Sequence, residues 1–340
     1  MKNIGNLMTT AMGVMPHTDV DRALKFSLSL DIPFWPQLPL YSYYEDMYVQ
    51  AGEHFPGIII DEKNKTLRLN TEKFYTELEQ TLANFDNEDY FDVSEKFSVV
   101  YHKFLKLPLE KYPAIRGQLE GPISFGFYVK DENDKPIIFN DEIRDFMIEF
   151  MAKRINVQLK NLKKKHPNAF IFIDEPGLQF VFSAISGYND IMAKNDIEKF
   201  LSLVNRPRGI HLCGNPDWDF LLGFDMDIVS IDLYTNRAII PLHGNSIKNF
   251  LERGGYIVWG IVPTNYEPFI KENKKSLKKI LKQTWEKVIE KGIDLEFLLS
   301  RSLLSPATCC LVNKDKEKTV EKAFILLKEL SQELREEYKI

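Results

Sequence analysis

Short apolar runs alternate with long amphipathic stretches from one end of this chain to the other. The runs are Leu7–Met12, Phe34–Leu38, Ile115–Leu119, Phe170–Ile173, Gly209–Leu212, Ile228–Ile231, Tyr256–Gly260 and the neighbourhood of Leu303–Leu304. Each is too short for a helix, and most are rich in β-branched or aromatic residues, as buried parallel strands are. Helical patterns separate them: Asp19–Leu30, Thr71–Ala83, Asp92–Leu105, Asp141–Lys165, Asp196–Val204, Ser246–Arg253, Lys271–Lys291 and Lys316–Glu337. Asp19, Thr71, Asp92 and Ser246 suit helix starts. Strand–helix alternation of this kind implies βαβ units and a parallel sheet, and eight repeats imply a closed (β/α)8 TIM barrel. Ile58–Asp61, a polar turn and Thr66–Leu69 read as a β-hairpin insertion near residues 55–70. No linker or internal repeat interrupts the pattern, so residues 1–340 are expected to form one domain.

Composition narrows the function classes. The chain has 340 residues, 44% hydrophobic and 27% charged, which suits a soluble globular protein with a sizeable core. A net charge of −5 offers no general attraction to nucleic acid. No run approaches the ~20 apolar residues of a membrane span. The opening residues lack the layout of a signal peptide, and there are only 3 cysteines. A reducing, cytoplasmic setting is therefore expected.

Those cysteines fall in two places, His211-Leu212-Cys213 and Cys309-Cys310. On a strand, residues two apart leave the same face. An imidazole and a thiolate so placed, joined by a late cysteine, would form a three-ligand Zn²⁺ site with one position open, the catalytic arrangement. Taken alone, His-x-Cys is more often a buried histidine beside a small apolar cysteine. The other polar candidates also follow strand ends, where barrel chemistry sits. They are His17, Glu120, Asp174 with Glu175, and Asp232. Asp174 and Asp232 read equally well as capping acids, and His17 as part of a helix start. Trp35 and Trp259 read either as core or as a wall that excludes water from substrate.

In this order, the motifs resemble a known family. Gly13 to Thr18 (Gly-x-x-Pro-x-Thr), Ile173 to Pro176 (Ile-Asp-Glu-Pro), His211-x-Cys213 with Asp232 downstream, and Pro306-x-x-Cys309 are similar to the catalytic barrel of cobalamin-independent methionine synthase. That barrel is grouped with uroporphyrinogen decarboxylase and the corrinoid:thiol methyltransferases, and His211-Leu212-Cys213-Gly214 is most like the last of these. The resemblance spans Met12 to Leu311. It implies Zn²⁺ on His211, Cys213 and Cys309 (Cys310 as the alternate), with Asp232 as a fourth ligand. It implies that Asp174 holds a substrate amino group; Glu175 or Glu120 then reads as its neighbour or a proton acceptor. Two departures are visible: Met12-Gly13-Val14 lacks the family's serine, and Val49 stands where a glutamate is expected. The expected activity is zinc-dependent methyl transfer to a small, homocysteine-like thiol. A single barrel without a folate-binding half suggests a methyl-corrinoid donor, brought by a separate corrinoid protein. The alternatives are a decarboxylase-like lyase without zinc and a non-catalytic barrel that binds a corrinoid or a metal.

Overall fold

A computed structural model describes residues 4–182 and 187–340. Its nine strands are β1 (Met8–Thr9), β2 (Ile58–Asp61), β3 (Thr66–Leu69), β4 (Ile115–Glu120), β5 (Ala169–Asp174), β6 (Arg208–Leu212), β7 (Ile228–Ile231), β8 (Tyr256–Val262) and β9 (Ser302–Pro306). Seven of them form one parallel sheet in the order β1-β9-β8-β7-β6-β5-β4, curled as in a TIM-like barrel. β2 and β3 pair antiparallel apart from it, Ile58 opposite Leu69 and Asp61 opposite Thr66.

Phe34–Leu38 was expected as a strand and is not a regular one. It makes isolated parallel bridges, Val14 with Gln37 and Phe34 with Arg116. The main-chain bonds Gln37 N to Gly13 O (2.9 Å) and Arg116 N to Pro33 O (3.0 Å) tie it to the neighbours of both edge strands. The reason lies in Pro33, Pro36 and Pro39, which remove donors a continuous ladder requires.

Helices follow the expected pattern with shifted starts. Asp19 caps Val20–Ser27 by accepting from the Arg22 N–H. The helix expected over Asp92–Leu105 is Val99–Leu105, capped by Ser98, and a separate short helix, Glu88–Phe91, ends just before Asp92. The long helix Asp141–Lys165 begins after Asn140, whose side chain accepts from Ile143 N.

Alternation along the strands sorts the core. Phe170 and Phe172 join Ile4, Ile32, Ala114, Ile228, Val258 and Leu303 in a cluster inside the curled sheet. Residues of opposite parity, such as Ile171, Ile173 and Trp259, belong to the larger cluster between sheet and helices. Trp259 is fully buried there and donates to Ser302 Oγ at 2.8 Å. Trp35 is fully buried against Tyr101, with ring centroids 5.3 Å apart. Both tryptophans are core, on the helix side of the sheet, and neither is a wall of the site.

Candidate active site

The same alternation carries polar residues to the upper end of the interior. On β4, Arg116, Gln118 and Glu120 share a face. On β5, Asp174 follows Phe170 and Phe172. Register then sets Glu120 beside Asp174, Asp174 beside His211, and His211 beside Ser230. One lateral row of side chains thus crosses four strands at their C-terminal ends, where barrel chemistry is found. Above it lies a cavity of about 280 Å³ lined by Glu120, Asp174, His211, Cys213 and Cys309, with Met12, Asp46, Met47, Tyr48 and Leu311 among its walls.

Three soft donors converge here. β6 ends at Leu212, so Cys213 begins a loop, yet its Sγ lies 2.7 Å from His211 Nε2. Cys213 is also hydrogen-bonded to the Cys309 thiol, which arrives on the loop after β9. That bond pulls the Cys309 thiol down and, with burial, pushes the Cys213 thiol well up. His211 Nδ1 lies 3.0 Å from Ser230 Oγ, which fixes the ring. Burial, helped by the charge of Arg116, lowers its pKa to about 3. The imidazole is therefore neutral at pH 7, the form that ligates metals.

This donor set fits Zn²⁺ in type: one neutral imidazole held through its second nitrogen, and two sulfurs. The spacing is that of a hydrogen-bonded trio. Among the described residues no group of three or more His, Cys, Asp or Glu side chains stands in a metal-holding arrangement. Tetrahedral zinc sets a ring nitrogen and a sulfur about 3.6 Å apart, so the 2.7 Å pair must open by about 0.9 Å, within the reach of a loop thiol. Cys309 is solvent-accessible and lines the cavity. Cys310 is buried elsewhere, donating to Asn265 Oδ1 at 3.0 Å, and does not line it.

The acids divide by role. Asp174 lines the cavity, and burial raises its pKa to about 7 against the lowering charge of Arg116. Glu120 is pushed well above the carboxylate range by burial and by neighbouring Asp174 and Glu175, against a lowering pull from Tyr48. Glu175 does not line the cavity. Its Oε1 accepts from Ile123 N (3.0 Å) and its Oε2 from Ser124 N (2.8 Å) and Ser124 Oγ (2.6 Å). It clamps the first turn of helix Pro122–Tyr128, where N–H groups are otherwise unpaired. A Cβ on Gly121 would stand 2.1 Å from Glu175 Oε1, so this approach requires glycine.

Asp232 and His17 lie off the cavity wall. Asp232 Oδ1 accepts from Thr235 N at 3.0 Å and caps helix Leu233–Asn236. His17 Nε2 lies 3.2 Å from Glu321 Oε1 on the last helix. Asp232→Asn, which preserves the cap, should leave bound zinc unchanged in elemental analysis.

One feature was not expected from the sequence. Arg116 is a fully buried cation inside the sheet, bonded to Thr10 Oγ1 (3.0 Å) and Gln118 Oε1 (2.9 Å) and placed over the Phe34 and Phe172 rings. The polar period of two in Arg116-Gln118-Glu120 was the signal. Asp46, Met47 and Tyr48 reach the cavity from the start of a short helix, Met47–Ala51.

Two solved structures share this architecture. A B12-independent methionine synthase from Shewanella sp. W3-18-1, in complex with selenomethionine, aligns over 98% of each chain with a TM-score of 0.57 and 13% identity. A methyltransferase from Methanosarcina mazei aligns over 98% of this chain and 95% of its own, with a TM-score of 0.56 and 14% identity. At such identity the likeness is one of fold. No family model and no curated protein matches the sequence.

Proposed function

We propose that this chain is a methyltransferase of the methionine synthase and uroporphyrinogen decarboxylase superfamily, moving a methyl group to a small thiol with Zn²⁺ held by His211, Cys213 and Cys309. The observation that carries the reading is the convergence of these three donors in one cavity with Asp174 and Glu120. The fold shared with a methionine synthase and a methyltransferase supports it. Zinc bound there would favour the thiolate form of the incoming thiol, the nucleophilic form.

The chain's own groups do the rest. Ser230 holds the His211 ring, so the ligand nitrogen is presented without a search over rotamers. Asp174 orients a cationic part of the substrate. Met12, Met47 and Leu311 supply apolar surface that limits water near the reacting sulfur. In the transfer, the thiol gives up its proton and forms a bond from sulfur to the methyl carbon. The bond from that carbon to the donor breaks, its electron pair staying with the donor.

Two donor classes are compatible, a methyl-corrinoid and a methylated folate. Chain length does not choose between them, because a chain of matching extent is a B12-independent synthase. A decarboxylase acting on a polycarboxylate finds no support here: among the described residues no lysine or arginine lines the cavity. Zinc-loaded protein given a small-thiol panel with methylcobalamin or methyl-tetrahydrofolate should form the methyl thioether, read by mass spectrometry, with one donor. No thioether with either donor overturns the reading.

A further inference from the structure

We infer that the thiol accepted here carries an ammonium and no carboxylate: it is an aminothiol, recognised at its nitrogen by Asp174 and Glu120. This rests on the thiol methyltransferase reading and specifies its substrate.

Asp46, Glu120 and Asp174 line the cavity, Asp46 with its Oδ1 taken by the Tyr48 and Val49 N–H groups, and among the described residues no lysine or arginine does. Arg116 is the buried cation whose charge reaches Asp174, but it lies off the cavity wall. Its Nε and Nη1 are taken by Thr10 and Gln118, its Nη2 is buried without a partner but off that wall, and its plane is covered by Phe34 and Phe172. A substrate carboxylate would enter beside these acids with no cationic side chain, among the described residues, on the wall to receive it.

Glu120 gives an independent sign of a ligand. It is 2% exposed, it lines the cavity, and its Oε1 has no hydrogen-bond partner. Buried polar atoms are rarely left so, and a donor brought by substrate would complete this one. Register places Glu120 directly beside Asp174. An ammonium offers three N–H donors and no acceptor, which suits two adjacent acids better than any neutral group. Adjacent carboxyls raise each other's proton affinity, and a cation between them removes that repulsion. The sulfur end then meets His211, Cys213 and Cys309 on the same cavity wall.

Calorimetric titration of zinc-loaded protein with 2-aminoethanethiol, homocysteine and 3-mercaptopropionate tests this. The aminothiol should bind at least about tenfold more tightly than the other two. Glu120→Gln should narrow that gap to about twofold, and the comparison among thiols on the unaltered chain stands even if the variant does not fold. Homocysteine or 3-mercaptopropionate binding as tightly as 2-aminoethanethiol overturns the inference and leaves the thiol reading in place. Failure of all three to bind overturns both.

Discussion

Asp174→Asn should lower kcat/KM for a thiol bearing a cation by about ten- to a hundredfold, the worth of a charge-assisted hydrogen bond. It should also remove a rising limb from the pH profile. The Asp174 carboxyl is raised to about 7 by burial. Below that pH it is protonated in the free enzyme and cannot pair with a cation. Above it, the carboxylate is present and binding gains. The wild-type kcat/KM should therefore climb through about pH 7, and the variant's should be flat there. Stability runs the other way. A carboxyl whose folded pKa lies above its ordinary 3.8 favours the fold while protonated, and that contribution fades as pH rises through about 7. The wild type should lose stability relative to Asp174→Asn over that window, measurable by urea titration at pH 4.5 and 8.

Arg116→Met should be the most damaging single change below the cavity. The guanidinium is fully buried, bonded to Thr10 and Gln118, and stacked over two aromatic rings. Methionine fills much of the space but leaves Asp174 without its nearby positive charge and Gln118 Oε1 without its donor. Losing hydrogen bonds from a charged donor and leaving Gln118 Oε1 buried and unpaired costs about 1–3 kcal/mol. Denaturant unfolding reads that loss directly. Arg116 also holds the Asp174 pKa down, so any folded variant should show its rising limb at higher pH than the wild type.

Placements that follow from strand parity were legible in the sequence. Asp174, His211 and Glu120 each end an apolar run, and the register of β4, β5 and β6 brings them side by side. Parity also decides the tryptophans, but only once a strand's inner face is known. Val258 is inside, so Trp259 is outside, and the sequence of β8 is apolar on both faces. Capping acids could not be told from chemical ones in advance. Asp232 and Glu175 are spent on helix N–H groups, and the same carboxylate serves either use. Loops were the least legible. Nothing periodic marks Asp46–Tyr48 as cavity wall. The choice between Cys309 and Cys310 depends on the path of the chain after Pro306, which turns one thiol to the cavity and the other to Asn265.

The most direct test of the metal reading is elemental analysis of protein purified without chelators, alongside Cys213→Ser and Cys310→Ser. The wild type and Cys310→Ser should each carry about one zinc per chain, and Cys213→Ser should lose it, because two of three protein donors rarely hold the metal. Wild-type protein that takes up no zinc even when it is supplied, or a Cys213→Ser variant that retains it, would contradict the assignment of His211, Cys213 and Cys309 as a metal site.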